Sequence, residues 1–454
     1  MERAPIMTAR PDRASVATSR GVADVVIIGG GPAGSTAAIL LAERGYRVVL
    51  LEKARHPRFH IGESLLPASL PLFERLGVAD RIRAIGMEKW GAEFVSPWHG
   101  RGETFEFAEA WNKTLPYAYQ VRRSQFDEVL IRRASEVGAT VIEGCRAKDV
   151  VFHRAPRSVH IEAEHDDGSR QSWDARFVVD ASGRDTLLAN QFKAKRRNKK
   201  HNSAAIYGHF SGAERYCDKR EGDISIYWFD HGWFWFIPLA DGTTSVGAVV
   251  WPYYMKTRTT SVPDFLLATI ELCTPLAERL KNATLVSDVY ATGNYSYTSD
   301  HSYGDDYLLL GDAYAFIDPV FSSGVWLAMN SAVAGVEAVD ACIRQPARAD
   351  AVLKKFDRVM QRGPREFSWF IYRVTNPAMR ELFMHPRNPL RMKEALLSVL
   401  AGDIFAGTPI WPSLTAFKGV YYASSLFNLR RSVTALRHRR RNIRPVTTDQ
   451  VSLR

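Results

Sequence analysis

Cysteine is scarce in this chain of 454 residues, and its four cysteines are far apart in the sequence. They are Cys145, Cys217, Cys273 and Cys342, and no two of them form a C-x-x-C pair. This spacing suggests neither a disulfide framework nor a zinc site. We therefore expect no bound metal and a reduced, cytoplasmic setting.

Long uninterrupted apolar runs are also missing. The longest weakly charged window, Val25 to Ala42, is broken by three consecutive glycines and a proline, which fits a strand, a turn and a helix better than a membrane span. We expect no transmembrane helix. The first twenty residues lack the apolar core of a secretory signal, and residues 1–21 are predicted to be a disordered leader.

Acidic residues are outnumbered, and the net charge is +11. Part of the excess lies in two basic runs, Lys193 to Lys200 and Arg437 to Arg441. Neither run has the interleaved aromatic residues of a base-stacking surface, so nucleic acid is not an expected partner. Such runs are typical of solvated faces or disordered ends, with docking to an acidic partner or an anionic membrane as the alternative. Residues 431–454 are predicted to be a basic tail.

A dinucleotide-binding pattern lies near the start of the chain. The apolar run Asp24 to Ile28 is followed by Gly29-x-Gly31-x-x-Gly34, an Ala/Leu-rich predicted helix and a second predicted strand that ends at Glu52. Glycines permit a tight turn close to a pyrophosphate, the helix N-terminus faces the phosphates, and the acid accepts from ribose hydroxyls. The predicted contacts with the dinucleotide are Gly29, Gly31, Ala33, Gly34, Glu52 and Lys53.

Four further motifs follow in a fixed order. They are Gly62-Glu63-Ser64, Arg123 within Val121 to Asp127, Asp180 to Arg184, and Gly311-Asp312-Ala313. This order resembles the glutathione-reductase-like flavoproteins of the aromatic hydroxylase type. The resemblance implies an α/β fold with FAD as the cofactor, and the further contacts it implies are Ser64, Arg123, Asp312 and Gly324. No second Gly-x-Gly-x-x-Gly for a nicotinamide is visible in the sequence, so a separate flavin reductase is the expected electron donor.

Two strand-rich regions separate these motifs. The segments Ala147 to His153, Ser158 to Glu164 and Ser172 to Val179 predict a small antiparallel unit. A substrate-side antiparallel sheet is predicted mainly over residues 203–300, and it contains Trp233-Phe234-Trp235-Phe236-Ile237-Pro238. The period of two along a strand places Trp233, Trp235 and Ile237 on one face.

Helical patterns dominate the remainder of the chain. We expect an FAD-binding module over residues 22–345 and a helical C-terminal region over 346–430. The apolar aromatic stretch Thr408 to Phe427 predicts a helical cover that packs on the sheet. The alternatives are a lid over an aryl pocket, or a surface that meets lipid or a carrier protein.

The Trp-x-Trp-x-Ile-Pro pattern, with Gly311-Asp312 and Ser322-Ser323-Gly324, is similar to the signature of the flavin-dependent halogenases, the tryptophan halogenase superfamily. The resemblance implies a wall that keeps substrate from the flavin but passes hypohalous acid. The residues of this passage are Trp233, Trp235, Ile237 and Pro238. It also implies that Lys89 is catalytic. The lysine either forms a haloamine or hydrogen-bonds hypohalous acid and polarises it, and a desolvated setting beside Trp90 would favour the neutral amine.

Ser322, Ser323 and Gly324 open a predicted helix, and consecutive backbone N–H groups at a helix start suit chloride or bromide. Tryptophan halogenases place a glutamate where this chain has Phe321. At this position the chain resembles the phenol and pyrrole halogenases instead. Several of these enzymes act on substrates held by an acyl or peptidyl carrier protein. The expected function is FADH2-dependent halogenation of an electron-rich phenol or pyrrole ring, free or carrier-bound, with O2 and chloride or bromide. The rivals are an FAD monooxygenase or dehydrogenase on the same fold, and a flavin-binding scaffold without the chemistry.

Overall fold

Two large β-sheets and a C-terminal group of helices build the fold. A computed structural model describes residues 19–293 and 296–443. The strands are β1 (Ser19–Ile28), β2 (Val48–Glu52), β3 (Met87–Lys89), β4 (Gly91–Ser96), β5 (Arg101–Glu106), β6 (Ala118–Gln120), β7 (Thr140–Glu143), β8 (Cys145–Arg154), β9 (Arg157–His165), β10 (Arg170–Asp180), β11 (Lys195–Arg197), β12 (Ala204–Ser211), β13 (Ile224–Phe229), β14 (Gly232–Pro238), β15 (Thr243–Val250), β16 (Thr284–Leu285), β17 (Tyr290–Gly293), β18 (Tyr297–Ser299), β19 (Tyr307–Leu309) and β20 (Ala315–Phe316).

The α-helices alternate with these strands at first and then follow them. They are α1 (Pro32–Glu43), α2 (Leu70–Arg75), α3 (Ala79–Ile85), α4 (Arg123–Glu136), α5 (Leu187–Gln191), α6 (Pro252–Met255), α7 (Val262–Glu271), α8 (Thr274–Leu280), α9 (Gly324–Arg344), α10 (Pro346–Ile371), α11 (Pro377–Met384), α12 (Met392–Leu400), α13 (Trp411–Phe427) and α14 (Leu429–Asn442).

The first sheet has the order β7-β2-β1-β10-β9-β8, with β19 also beside β10. Its centre is parallel, and Val25 to Ile28 on β1 are buried, as expected for a central strand covered on both faces. The predicted strand-helix-strand unit is present. Helix α1 begins three residues before the predicted Ser35, because Pro32 has the fixed φ that suits a first helical turn.

The predicted antiparallel strands are present, but they are not the separate small unit that the alternating patterns suggested. Strand β10 pairs antiparallel with β9 along Arg170 to Ala175 and parallel with β1 along Gln171 to Asp180. Its final residues, Phe177 to Asp180, are all buried between β1 and β19. The eleven residues of β10 therefore join the antiparallel strands to the nucleotide-binding sheet.

The second sheet has eight strands in the order β16-β12-β15-β14-β13-β4-β5, with β17 also beside β12. Strands β4 and β5 lie outside the predicted 203–300 region, and β4 pairs parallel with β13. On β14, Trp233, Trp235 and Ile237 face one core, whereas Phe234 and Phe236 face the other. The prediction of alternating faces is confirmed.

Helices α10 to α13 cover the face of the second sheet that carries Trp233 and Trp235. Phe370, Phe417 and Tyr421 are buried in the same core as these tryptophans. The predicted helical C-terminal cover is therefore present. At its outer end Tyr422 and Phe427 are exposed, so the aromatic stretch packs on the sheet only along one side.

The ends of the described chain differ from the predicted boundaries. Residues 1–18 of the predicted leader lie outside the described residues, while Ser19 already pairs with Gln171 in the first sheet. Much of the predicted basic tail is helical, since α14 extends to Asn442, and residues 444–454 lie outside the described part. Within 19–293 and 296–443, only α9 is long and apolar enough to cross a membrane, and half of its apolar window is buried inside the protein.

Candidate functional site

A cavity of about 850 Å³ opens where β1, β2 and β10 end. The predicted dinucleotide contacts Gly29, Gly31, Ala33, Glu52 and Lys53 line it. Gly34 does not. A Cβ on Gly34 would lie 1.8 Å from the Gly29 carbonyl oxygen, so this glycine lets α1 pack against the loop rather than touching the cavity itself.

The glycine loop fits a bound dinucleotide. Gly29 has φ +106°, and a Cβ there would lie 2.3 Å from the carbonyl oxygen of Ala181, so only glycine is accommodated. The Glu52 carboxylate accepts hydrogen bonds from the backbone N–H groups of Gly30 at 2.6 Å and Ala54 at 2.9 Å. This fixes an acid at the end of β2, where a ribose hydroxyl is expected. Lys53 forms an ion pair with Asp185 at the cavity wall.

Arg123 and Asp312 lie between this cavity and a second, smaller one. The Arg123 guanidinium is buried and donates to both carboxylate oxygens of Asp127, at 2.8 and 3.0 Å. Asp312 lines both cavities. Burial raises the pKa of Asp312 to about 6, although Arg123 and Arg184 lower it. The predicted cofactor contacts Arg123, Asp312 and Gly324 are thus brought together at the junction.

The smaller cavity has a volume of about 140 Å³. Trp233, Trp235 and Ile237 form one wall, whereas Pro238, at the end of β14, is not among the lining residues. The two indole rings are 6.1 Å apart, and Trp235 Nε1 donates to Ser245 Oγ at 3.1 Å, which holds its ring. The tryptophan wall therefore faces the same cavity that Arg123, Asp312 and Gly324 line.

The predicted halide residues lie at the same cavity. Ser322 and Gly324 line it, and Ser322 has φ +54° where the chain turns into α9. The N–H groups of the first helical turn have no intrahelical acceptors, so they are available to an anion. Ser323 is buried behind them, and its Oγ has no hydrogen-bond partner in the described part of the chain.

A buried network that sequence reasoning missed holds the start of the predicted halide loop, residues 318–324. Asp318 accepts from His201 Nε2 at 2.9 Å and from Ser203 Oγ at 3.1 Å, and its other oxygen caps Val320 N. The next position, Phe321, packs edge-on against Phe370 with ring centroids 6.1 Å apart. Phe321 is thus buried in the same apolar core as Trp233 and Trp235.

Lys89 is 1% exposed, at the end of β3. Its Nζ donates to Ser64 Oγ at 2.9 Å and to the carbonyl oxygen of Leu65 at 3.2 Å. Ser64 lines the smaller cavity, so the lysine reaches it through one hydroxyl group. Burial lowers the pKa of Lys89 to about 7, partly offset by the negative charge of Asp223. The aromatic ring over the amine is that of Phe107, at 5.2 Å.

A second buried ionisable pair beside the cavity was also missed. His209 Nε2 and Glu63 Oε1 are 2.9 Å apart, and the two residues are 2% and 1% exposed. Glu63 lines the smaller cavity, and its Oε2 has no partner among the described residues. The Gly-Glu-Ser motif contained a signal for Glu63. His209 gave none, because 146 positions separate it from Glu63.

The model of the FAD-binding domain family matches residues 22–358. A 1H-pyrrole-2-carbonyl-[peptidyl-carrier protein] chlorinase from Pseudomonas fluorescens is 30% identical over 85% of this chain and 90% of its own length. A tryptophan 2-halogenase from Chondromyces crocatus is 37% identical over 70% of this chain. The flavin-dependent halogenase armH1 from Armillaria mellea is 34% identical over 71% of this chain. The chain spans only 61% and 65% of the length of those two curated relatives.

Two solved structures have a similar fold, and one of them is a halogenase. The myxobacterial chondrochloren halogenase CndH has a TM-score of 0.74 and 33% identity, over 87% of this chain and 93% of that one. A flavoprotein/dehydrogenase from Cytophaga hutchinsonii has a TM-score of 0.82 and 27% identity, over 90% and 100% of the two chains. The chain belongs to the flavin-dependent halogenase family, and the cofactor of this family is FAD.

Proposed function

We propose that this protein is an FADH2-dependent halogenase that uses O2 and chloride or bromide to form hypohalous acid, which halogenates an electron-rich phenol or pyrrole ring. The observation that carries the proposal is the buried Lys89, hydrogen-bonded to Ser64 on the wall of the cavity that Trp235 and Ser322 also line. A pocket built only to exclude water from a flavin has no need of a desolvated lysine at this position.

The large cavity would hold the cofactor. Gly29, Gly31 and Ala33 would face the pyrophosphate, and Glu52 would accept from the ribose. Reduced FAD, when bound, would give two electrons to O2 and the halide would give two more, so that one oxygen atom ends in hypohalous acid and the other in water. Ser322, Ser323 and Gly324 would hold the halide at the start of α9, where the helix N-terminus favours an anion.

The tryptophan wall would separate oxidation from halogenation. Trp233, Trp235 and Ile237 line the cavity of about 140 Å³ and would form the barrier that keeps an aromatic substrate from the flavin while hypohalous acid passes. Lys89 would receive the acid at Ser64. With a pKa of about 7, the amine and ammonium forms are both present at neutral pH. Either route, a haloamine or a hydrogen bond from the ammonium, is therefore accessible.

Asp223→Asn should move the pH dependence of halogenation to lower pH. Asp223 Oδ1 accepts from the N–H groups of Trp90 and Gly91 at 2.7 and 2.6 Å, and an asparagine oxygen preserves both bonds. The lost negative charge no longer raises the pKa of Lys89, so the amine stays neutral to a more acidic pH. A pH–rate profile measures the shift. Asp218→Asn, an exposed carboxylate on the preceding loop, serves as the control, and an equal shift there would contradict the assignment.

A carrier-bound substrate is the favoured substrate class. The carrier-protein chlorinase among the relatives supports it, as does Phe321 in place of a glutamate. The two basic runs meet in the fold, since Arg439 Nη2 donates to the carbonyl oxygen of Lys200. The next residue, His201, is hydrogen-bonded to Asp318 at the start of the proposed halide loop. An acidic carrier protein would complement this surface. A separate reductase would supply reduced flavin in a cytoplasmic setting, which the four free cysteines support.

Charge reversal at the exposed Arg437, Arg440 and Arg441 should weaken turnover of the carrier-bound substrate about tenfold at low salt, because attraction between charged surfaces raises the association rate. Arg439 is left in place, since it anchors α14 to the protein. Halogenation of a free trap should not change. Unchanged kcat/KM on the carrier-bound substrate would exclude this docking surface. Reversal at the exposed Arg154, Arg170 and Arg258 gives the same change in net charge and serves as the control.

Product analysis separates the proposed activity from its rivals. The FAD-loaded protein, a flavin reductase and bromide are incubated with free and carrier-bound phenols and pyrroles, and products are identified by mass spectrometry. The proposal predicts brominated product only when reductase and bromide are both present. A monooxygenase would give hydroxylated product with direct NADH or NADPH oxidation, and a scaffold protein would give no product.

A further inference from the structure

Three side chains with metal-binding atoms converge at the protein surface, outside the lining of both cavities. The ligand atoms of His99, Glu381 and His385 all lie within 4.8 Å of one another. Among the described residues, no other group of three His, Cys, Asp or Glu side chains is placed to hold a metal ion. His99 Nε2 is 3.1 Å from Glu381 Oε1, and His385 Nδ1 is 3.5 Å from Glu381 Oε2. None of the three lines the cofactor cavity or the smaller cavity.

Two elements of different regions supply the cluster. His99 lies in the turn between β4 and β5, at the edge of the second sheet. Glu381 lies on α11, and His385 immediately follows that helix, four residues later on the same side. The cluster thus joins the substrate-side sheet to the helical cover. His99 and Glu381 are 282 positions apart, so no local spacing in the sequence could predict that they meet.

The imidazole of His99 is oriented by a second contact. Its Nδ1 is 2.6 Å from Ser96 Oγ. In a metal-bound state the Nδ1–H group would donate to that hydroxyl, and the Nε2 lone pair would face the ion in place of the hydrogen bond to Glu381. A hydrogen bond to the far ring nitrogen is the usual support of a metal-binding histidine.

The two elements are already fixed against each other by packing. Phe383 on α11 contacts the rings of Phe94 and Phe105, with centroids 4.8 and 5.5 Å away. Arg101 donates to the carbonyl oxygen of Met384. Ligands held on such packed elements lose little freedom when an ion binds, and this favours a specific site.

We infer that His99, Glu381 and His385 bind one zinc ion that fastens α11 to the β4–β5 turn. Two imidazoles and a carboxylate are a common ligand set for Zn²⁺, and water completes the tetrahedron. Magnesium and calcium prefer sets made of oxygen ligands. Because none of the three residues lines either cavity, the ion stabilises the cover and takes no part in halogenation.

The test uses the FAD-loaded protein without a polyhistidine tag, stripped with a chelator and titrated with ZnCl2. Calorimetry should show one equivalent of zinc per chain, and the Tm should rise as the site fills. Glu381→Gln and His385→Ala should each weaken zinc binding about tenfold or more, by loss of one ligand. Their metal-free Tm values verify that the fold is intact.

His153→Ala is the matched control, an exposed histidine on β8 in the other sheet, and it should bind zinc as the wild type does. Magnesium chloride should not displace the zinc. Absence of saturable binding would overturn the inference. So would zinc affinity that is unchanged in both variants, because the ion would then bind elsewhere on the chain.

Discussion

Lys89→Ala is expected to lower halogenation of an aromatic substrate by about 10³-fold, within the range for loss of a group that transfers a proton or a reactive species. Flavin reoxidation and halide consumption should continue, since Lys89 lies behind Ser64 and not in the cofactor cavity. Substrate turnover and free hypohalous acid are measured in parallel. Lower substrate turnover together with more free hypohalous acid would assign Lys89 to transfer of the halogen.

Lys89→Met separates charge from packing, since it fills similar volume without an amine. It should be as inactive as Lys89→Ala, and Lys354→Met on the surface should be fully active.

The pKa of Lys89 is about 7 in the folded protein and 10.5 for an ordinary lysine. The folded state therefore binds fewer protons between these values, and the wild type gains stability as pH rises through this window. The stability advantage of Lys89→Met should accordingly be largest below pH 7. Retained substrate turnover in either Lys89 variant would favour the monooxygenase reading.

Gly34→Ala should give protein that does not retain FAD. The added Cβ would lie 1.8 Å from the Gly29 carbonyl oxygen, and neither backbone segment can shift without separating α1 from β1. The turn that presents Gly29 and Gly31 would be lost. Bound flavin is read from the absorbance of purified protein, and stability from thermal unfolding. The variant should either unfold at markedly lower temperature or fail to accumulate as soluble protein.

Gly31→Ala is the informative companion, because its Cβ would meet only Arg58, at 3.8 Å. This variant should fold as stably as the wild type and yet bind FAD more weakly, since the methyl group stands where the backbone approaches a pyrophosphate. Normal FAD content in Gly34→Ala would show that the loop relaxes. Equal loss of stability in both variants would show that the two glycines have no separate roles.

Features encoded by nearby residues could be predicted from the sequence. The β1-α1-β2 unit follows from an apolar run, glycines and an acid within some thirty positions, and the faces of β14 follow from strand geometry. The cavity contacts of Trp233, Trp235 and Ser322 were predicted from the family resemblance. Their assignment as catalytic or halide residues stays a prediction.

Features that depend on distant pairing could not be predicted. Strands β4 and β5 join the second sheet through the parallel pairing of β4 with β13, and no local pattern specifies such a partner. The same applies to Glu63 with His209 and to Asp318 with His201, which meet across 146 and 117 positions. Pro238 was assigned to the passage because it ends the tryptophan motif, whereas the strand has already left the cavity wall there.

The most direct test of the central claim is a single turnover without any natural substrate. The FAD-loaded wild type is reduced anaerobically and mixed with O2, with and without bromide or chloride, in the presence of a β-diketone that captures hypohalous acid. We expect the trap to be halogenated only when halide is present, and Lys89→Ala to halogenate it equally well. Hydrogen peroxide as the sole product with either halide would contradict the halogenase assignment and leave Trp233 and Trp235 as core residues.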